Sequence, residues 1–339
     1  MPTIRSAQVA EPGGPFSIVT REAPDPSRGQ VRITVEACGV CHSDSTLVNA
    51  AFPGVPFPLV TGHEIAGRID AVGEDVEGWA AGERVAVGWF GGNCGTCAAC
   101  RDGDFMHCER LQIPGYSYPG GYSEAVVVPV TALARIPDSI TAVEAAPMGC
   151  AGVATFNALR RSAAGPGELV AVLGLGGLGH LGVQFASKLG FETVAVARGA
   201  ARADLAARLG ARHYIDSTAG DVSKQLQALG GAKVVLAAAA SSAAMSATID
   251  GLRRGGELVV LGFVPEPIQV SPIQIVAASK AVRGHPGGTA SEIEETLRFA
   301  ALAGVRPMTE TSPLDDAQAA YNRMLSGDAR FRMVLTTGK

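Results

Sequence analysis

The sequence predicts an α/β protein with two domains, one all-β and barrel-like and the other a doubly wound parallel sheet. Three observations lead to this prediction. The chain has 339 residues, which is enough for two domains of typical size. Residues 4 to about 148 contain short β runs broken by glycine and proline. Residues from about 150 to 283 alternate apolar strands with helical segments, which is typical of a parallel sheet covered on both faces.

The first region contains the β runs VRITVEA, AGRIDAVG, ERVAVGWF and YSEAVVVP. The tail from about His285 returns to the same mixed pattern, with an amphipathic helix in SEIEETLRFAALAG and a closing strand in FRMVLTTG. We therefore expect residues 1–149 and 285–339 to form one domain, and residues 150–284 to form the other.

The second region contains six apolar segments that read as strands, in the order ELVAVL, TVAVA, HYI, KVVLAAAA, ELVVLG and KAVRG. Helical segments such as LGVQFASKLG and ARADLAARLGA lie before or between them. Six parallel strands make two mononucleotide-binding halves, so this region is expected to be a dinucleotide-binding Rossmann domain.

Composition excludes several classes of protein. The chain is 47% hydrophobic and 18% charged, which describes a folded protein with a large core. Its net charge of −4 provides no basic surface for nucleic acid. The N-terminal residues lack a secretory pattern, and the longest apolar stretch, KVVLAAAASSAAM, is too short to span a membrane. We expect a cytoplasmic protein with no membrane or nucleic-acid partner.

Four of the seven cysteines lie in one short stretch with the spacing C-x2-C-x2-C-x7-C, namely Cys94, Cys97, Cys100 and Cys108. In a reducing compartment such a cluster favours a metal over disulfides. Four thiolates suit tetrahedral zinc and leave no open position, so the site would be structural. An iron–sulfur cluster and a chance run of buried cysteines are the alternatives.

A zinc ribbon of a nucleic-acid-binding protein is another interpretation of this loop. Such a ribbon would carry basic and aromatic residues on its surface. The loop instead mixes Arg101 with Asp102, Asp104 and Glu109, so it has no basic excess. We therefore reject this alternative.

The segments CGVCHSDSTL, TGHEIAG and APMGCAG supply further candidate ligands. Taken alone, Cys38 and Cys41 could be a redox pair, although that motif usually lies near a βαβ unit. A lone histidine such as His63 is usually an ordinary core or surface residue. None of these residues indicates a functional site by itself, and they have to be considered together.

The ordered motifs GVCHSD, GHE, the four-cysteine loop, CAG and GLGGLG resemble the zinc-dependent medium-chain alcohol dehydrogenases over nearly the whole chain. The segments VAVARGAARADLAARLGA, HYID and GVRPM are similar to bacterial cinnamyl-alcohol-dehydrogenase-like members. This resemblance implies a GroES-like β-barrel catalytic domain, a Rossmann domain and two zinc ions per chain. It also implies a homotetramer or homodimer.

The activity implied by the resemblance is reversible hydride transfer between a primary alcohol or aldehyde on zinc and a nicotinamide cofactor. A polyol or secondary-alcohol dehydrogenase is the alternative. Sorbitol-type relatives tend to use a carboxylate as the third zinc ligand, and Cys150 at that place disfavours them.

The resemblance assigns Cys41, His63 and Cys150 as ligands of the catalytic zinc, with a fourth position for water or substrate. It implies that Glu64 approaches or transiently ligates the metal. Asp44 resembles the carboxylate that orients the ligand histidine.

The family also implies a path for the alcohol proton. Ser43 occupies the hydroxyl position that takes this proton. Many relatives have a relay histidine where this chain has Thr46, which cannot titrate near neutral pH. His42 could contact the cofactor pyrophosphate or assist the relay, or it could be a plain surface histidine. Trp89 and Phe90 lie where the family has a pocket wall, which indicates a narrow slot.

The motif GLGGLG contains Gly174, Gly176, Gly177 and Gly179. It follows a predicted strand and begins a predicted helix, the context in which such glycines bind a dinucleotide pyrophosphate. A plain strand-to-helix turn is the weaker interpretation. Arg332 resembles a late arginine of the family near the pyrophosphate and the glutamate, or it is a surface arginine.

The end of the second predicted Rossmann strand indicates which cofactor is preferred. NAD-binding relatives have an acidic residue there that binds the adenosine ribose. This chain has Ala197, followed by Arg198, and Arg202 lies where relatives carry a basic residue near the ribose. Guanidinium groups bind phosphate well, so the sequence favours NADP(H) over NAD(H).

Overall fold

The computed structural model describes residues 3–339, which form two compact units. One unit comprises residues up to 153 together with 288–339, and the other comprises residues 154–287. These boundaries differ by a few residues from the expected 149/150 and 284/285, so Cys150 belongs to the first unit rather than the second. Within the described chain, every helix is too short or too polar to cross a membrane.

The first unit begins with seven strands and three short helices. The strands are β1 (Thr3–Val9), β2 (Phe16–Glu22), β3 (Gln30–Val40), β4 (Glu64–Val72), β5 (Arg84–Val87), β6 (Ala125–Pro129) and β7 (Ala134–Arg135). The helices are α1 (His42–Val48), α2 (Ala98–Arg101) and α3 (Ala142–Pro147). A π-helical turn, Met148–Gly152, follows α3 directly.

The second unit alternates helices with six strands. The helices are α4 (Val153–Arg160, whose first residue lies in the first unit), α5 (Gly179–Lys188), α6 (Ala203–Arg208), α7 (Val222–Ala228), α8 (Ser242–Ser246) and α9 (Pro272–Val276). The strands are β8 (Leu169–Leu173), β9 (Glu192–Ala197), β10 (His213–Asp216), β11 (Ala232–Ala237), β12 (Leu252–Val260) and β13 (Ala281–Gly284).

The C-terminal segment returns to the first unit and completes its sheet. It contains α10 (Ala290–Ala303), β14 (Thr309–Pro313), α11 (Ala317–Ser326) and β15 (Arg332–Thr336). Strand β15 pairs antiparallel with β3, and the sheet order is β14-β15-β3-β4-β5-β7, with β6 also paired to β3. The amphipathic helix and the closing strand predicted for this tail are therefore both present.

Strand β3 shows why this sheet forms. Val31, Ile33 and Val35 are buried while the residues between them are half-buried, which is the period-two pattern of a strand with one apolar face. Cys38 joins the same core with 1% exposure, as expected for a thiol that packs as a small hydrophobe. The carboxyl end of β3 leads directly into α1, and this junction carries the first candidate ligand.

The second sheet is parallel, with the order β10-β9-β8-β11-β12-β13. In chain order of the strands this is 3-2-1-4-5-6, the arrangement of a doubly wound dinucleotide-binding fold. All five residues of β8 are buried, as expected for a central strand covered on both faces. The predicted fold class and its six strands are confirmed.

Candidate active site

The four clustered cysteines come together in a lobe that follows β5. Their sulfur atoms all lie within 4.8 Å of one another. The separations are 3.5 Å between Cys94 and Cys108, 3.9 Å between Cys97 and Cys108, and 4.0 Å between Cys94 and Cys100. Zinc–sulfur bonds of about 2.3 Å place tetrahedral sulfurs about 3.8 Å apart, so the four sulfurs fit a zinc ion.

Backbone groups of the lobe support thiolates. The amide of Cys97 donates to the sulfur of Cys94 at 3.4 Å, and the amide of Cys94 donates to the sulfur of Cys108 at 3.3 Å. Backbone hydrogen bonds from Thr96 and Cys97 lower the pKa of Cys94 to about 5. Backbone hydrogen bonds thus favour the deprotonated, metal-binding form of Cys94, whereas burial raises the pKa of Cys108 to about 11.

A second group of potential ligands forms where three segments of the first unit meet. Cys41 caps the start of α1, His63 precedes β4, and Cys150 lies in the π-helical turn. Their ligand atoms, with a carboxylate oxygen of Glu64, lie within 4.8 Å of one another, and the two sulfurs are 3.9 Å apart. The buried Nε2 of His63 has no hydrogen-bond partner in residues 3–339. Two sulfurs and a free imidazole nitrogen fit a zinc ion with an open position.

The pKa values of the two thiols in this group shift in opposite directions. The hydrogen bond from Cys150 lowers the pKa of Cys41 well below its usual value, against the opposing effect of burial. The same hydrogen bond, together with burial, raises the pKa of Cys150. Cys41 is therefore the more readily deprotonated of the two thiols.

A buried carboxylate, Asp44, lies behind the histidine. It accepts hydrogen bonds from the Cys41 amide at 2.9 Å, the Thr61 hydroxyl at 2.9 Å and the Tyr122 hydroxyl at 3.1 Å. Nδ1 of His63 lies 3.2 Å from Asp44 Oδ1. Because a carboxylate only accepts, Nδ1 carries the proton and Nε2 presents its lone pair. The family resemblance implied that Asp44 orients His63, whereas no sequence signal pointed to Thr61 or Tyr122.

Glu64 and Arg332 form a buried ion pair beside the same group. The exposure of Arg332 is 6%, so its interpretation as a surface arginine is wrong. Burial raises the pKa of Glu64 to about 7, against the effect of the Arg332 charge. The other carboxylate oxygen, Oε2, packs against Gly39, where an added Cβ would lie 1.9 Å from it. Gly39 is thus needed to admit this carboxylate.

Helix α1 carries the residues of the expected proton path. Ser43 is half-buried, and its carbonyl accepts a hydrogen bond of 2.7 Å from the Thr46 hydroxyl. That hydroxyl is therefore already engaged within the helix. His42 is exposed and lies outside the group of metal-ligand atoms.

Aromatic rings extend outward from the histidine. The Trp89 ring meets the His63 ring edge-on, with centroids 4.9 Å apart. Phe52 lies 6.3 Å from Trp89, and Tyr116 lies 6.3 Å from Phe52. Phe90, which the sequence placed in the pocket wall with Trp89, is buried at 2% exposure. Phe52 and Tyr116, to which the sequence analysis gave no role, continue the row of rings instead.

The glycine-rich turn connects β8 to α5 in the second unit. Gly174 has a φ of +95°, and a Cβ at Gly179 would lie 1.7 Å from the Gly174 carbonyl oxygen. By contrast, no described protein atom lies within 4 Å of a Cβ at Gly176. Gly179 is required for the packing of the turn, whereas Gly176 leaves open backbone that a pyrophosphate can approach.

The residues expected to read the cofactor lie at the end of β9. Ala197 is the last residue of this strand, and Arg198 after it is exposed. The guanidinium of Arg202 donates a 2.8 Å hydrogen bond to the carbonyl of Leu175, inside the glycine-rich turn. One nitrogen of Arg202 is therefore committed to that turn, and Arg198 is the more available cation.

Two side chains of β10 hold this segment in place. Asp216 accepts a hydrogen bond of 2.8 Å from the Gly199 amide, and the Tyr214 hydroxyl donates to the Gly199 carbonyl at 2.6 Å. Asp216 is paired in register with Ala197. The turn that follows Arg198 is therefore fixed on both sides of Gly199.

Comparison with known proteins shows a match along nearly the whole chain. Residues 27–138 match the alcohol dehydrogenase GroES-like domain, and residues 177–301 match the zinc-binding dehydrogenase family. The alcohol dehydrogenase patD of Penicillium expansum is 40% identical over 334 residues, 98% of each chain. The NADP-dependent alcohol dehydrogenase C of Mycobacterium bovis is 32% identical over 343 residues, 99% of each chain.

Solved structures agree with the sequence relatives. A cinnamyl alcohol dehydrogenase from Sorghum bicolor superposes with a TM-score of 0.90 at 28% identity, over 99% of this chain and 98% of that one. The similarity thus extends over both units.

Proposed function

The chain belongs to the zinc-dependent medium-chain alcohol dehydrogenases, and on this premise we propose that Cys41, His63 and Cys150 hold its catalytic zinc. The enzyme uses zinc and a nicotinamide cofactor and acts on a small molecule. The observation that carries the proposal is the convergence of two sulfurs and the unpartnered Nε2 of His63. The reaction is reversible hydride transfer between a primary alcohol or aldehyde and the cofactor.

Each side chain around this group has a separate role in the proposed reaction. Zinc bound there acts as a Lewis acid on the substrate oxygen. Ser43 takes the alcohol proton, and Asp44 holds the His63 ring in its ligating orientation. Glu64, restrained by Arg332, supplies a carboxylate oxygen near enough to ligate the metal transiently. Trp89, edge-on to His63, narrows the approach and favours primary over branched alcohols.

The four-cysteine lobe holds a second, structural zinc. Four sulfurs complete a tetrahedral set and leave no position for substrate. Its contribution is therefore to stability rather than to the reaction.

NADP(H) is the favoured cofactor. No carboxylate stands at Ala197 to repel a 2′-phosphate, and the exposed Arg198 follows it. A charge-assisted hydrogen bond contributes about 1.5–3 kcal/mol. This corresponds to a preference of roughly ten- to a hundredfold. The existence of an NADP-dependent relative of similar length supports the proposal.

Self-association involves the outer edge of the second unit. In the described part of the chain, β13 pairs on one side only, with β12. Ile273 and Val276 of the adjacent α9 are 74% and 78% exposed. An open strand edge beside exposed apolar side chains fits the same surface of a second copy. We therefore assign this edge to the interface of a homodimer, or of one pair within a homotetramer.

The two-zinc proposal predicts unequal effects of cysteine substitutions. Purified enzyme should contain two zinc ions per chain by elemental analysis. Cys97→Ser should lower the melting temperature, because loss of a structural metal removes folding free energy. Cys41→Ser should retain most of the stability but abolish turnover. Active protein with one zinc or none would refute the two-site proposal.

The proton path predicts a specific loss at Ser43. Ser43→Ala should lower kcat by roughly 10²- to 10⁴-fold, because the alcohol proton loses its acceptor. Ser45→Ala is the matched control, since its hydroxyl donates only to the His42 carbonyl. The pH profile of oxidation should also lack the ionisation of a relay histidine, and Thr46→His should add one. Equal activity of the Ser43 and Ser45 variants would exclude this path.

Cofactor choice is tested by comparing kcat/KM for NADPH and NADH in aldehyde reduction. We expect NADPH to be preferred roughly ten- to a hundredfold. Arg198→Ala should remove most of this preference while leaving NADH use unchanged. Arg208→Ala, at an exposed position of α6, is the control and should change neither. A wild-type preference for NADH contradicts the assignment.

The interface is tested by light scattering of charged variants. The wild-type enzyme should be a dimer or tetramer, and the double variant Ile273→Glu, Val276→Glu should dissociate. Leu302→Glu, at an 87% exposed position of α10, should keep the wild-type mass. A monomeric wild type, or a double variant with unchanged mass, would show that this edge is not an interface.

A further inference from the structure

Tyr122 is a buried side chain to which neither the sequence motifs nor the comparisons give a role. We propose that Tyr122 is a positioning residue for the zinc ligand His63, acting through Asp44. The inference rests on the proposed role of His63 as a ligand. Tyr122 would thus add a further supporting side chain to the proposed metal site, and it comes from a segment that supplies no ligand.

The donors to Asp44 differ in where they come from. The Cys41 amide lies at the start of the same helix, and Thr61 lies two residues before His63. Both belong to segments that carry proposed ligands. Among the described residues, Tyr122 is the one hydrogen-bond donor to Asp44 from a separate segment, the loop before β6.

The hydroxyl of Tyr122 completes a balanced set of contacts. Oδ1 of Asp44 faces His63 Nδ1 and the Thr61 hydroxyl. Oδ2 accepts from the Cys41 amide and the Tyr122 hydroxyl. Both oxygens are therefore held by two donors, which fixes rotation of the carboxylate. Loss of the hydroxyl leaves Oδ2 with the Cys41 amide as its one donor, and so weakens the constraint that orients the carboxylate towards His63.

The Tyr122 ring is held rigidly enough to serve as a fixed point. Its amide donates to the Thr61 carbonyl at 3.0 Å, and its own carbonyl accepts from the Ala7 amide at 2.8 Å. The ring lies against Gly62, where an added Cβ would be 2.4 Å from the ring carbon Cδ1. Phe16 packs on it with a centroid distance of 5.5 Å. A phenylalanine at this position keeps all of this packing and removes only the hydroxyl.

The chain offers a matched control in Tyr118. Its hydroxyl donates to the Gly91 carbonyl at 2.7 Å and makes no contact with Asp44. Tyr118→Phe therefore removes a comparable tyrosine hydrogen bond without touching the support of His63. If Tyr122 only stabilises the fold, the two variants should behave alike.

The experiment measures zinc release to a chromophoric chelator from the full-length enzyme. The phase absent from Cys41→Ser identifies the Cys41–His63–Cys150 site, and the remaining phase reports the four-cysteine site. Tyr122→Phe should accelerate the first phase about tenfold, which corresponds to the lower end of the affinity loss caused by mutating residues that support a ligand histidine. The four-cysteine phase and Tyr118→Phe should match the wild type. An unaltered first phase in Tyr122→Phe, or equal acceleration in Tyr118→Phe, overturns the inference.

Two further readouts separate positioning from general stability. Cobalt in place of zinc at the Cys41–His63–Cys150 site should show shifted ligand-field absorption in Tyr122→Phe and not in Tyr118→Phe. In an Asp44→Asn background, Tyr122→Phe should add less than twofold to the release rate, because its effect passes through the carboxylate. If Tyr122→Phe accelerates zinc release in the Asp44→Asn background as much as it does in the wild type, the inference is overturned. A wild-type enzyme without zinc at this site would refute the proposed function as well, whereas two bound zincs with unaltered release refute the inference alone.

Discussion

The carboxylate of Asp44 is fully buried, and four donors from three parts of the chain converge on it. A buried charge costs several kcal/mol unless hydrogen bonds compensate it, so this arrangement forms only when all of these segments are in place. The junction of β3 with α1, the loop before β4 and the loop before β6 are thereby fixed together. The metal-ligand group depends on this constraint, because it sets both the start of α1 at Cys41 and the orientation of His63.

Glycines make this close packing possible. Gly62 has a φ of +104° and lies under the Tyr122 ring, while Gly39 lies under the Glu64 carboxylate. A side chain at either position would push apart the side chains that form the proposed zinc site. Close approach thus explains some of the 43 glycines of the sequence, and composition alone could not assign this role to particular residues.

How well each site could be predicted from the sequence depends on how close its residues lie along the chain. The four-cysteine lobe is contained within residues 94–108, so its spacing alone indicated a tetrahedral metal site. Cys41, His63 and Cys150 are far apart in the chain, and only the resemblance to a family joined them. Thr61 and Tyr122 carry no motif and were missed, because their contacts with Asp44 exist only after β-sheet assembly.

The alternating strands and helices of the second unit were correctly predicted, since burial on both faces gives a strong local pattern. The hydrogen bond from the Gly199 amide to the Asp216 carboxylate was not predicted, because its two residues are far apart in the sequence and meet only when β9 and β10 pair.

The central claim is that this chain builds two zinc sites with different ligands, one for stability and one for hydride transfer. X-ray absorption at the zinc edge of the purified enzyme tests it most directly, because the spectrum reports the average ligand set. Four sulfurs at one site and two at the other give an average of three sulfurs per zinc, at about 2.3 Å, with a clear imidazole contribution. A spectrum with four sulfurs per zinc and no imidazole would contradict the account, because it would leave Cys41, His63 and Cys150 without a metal.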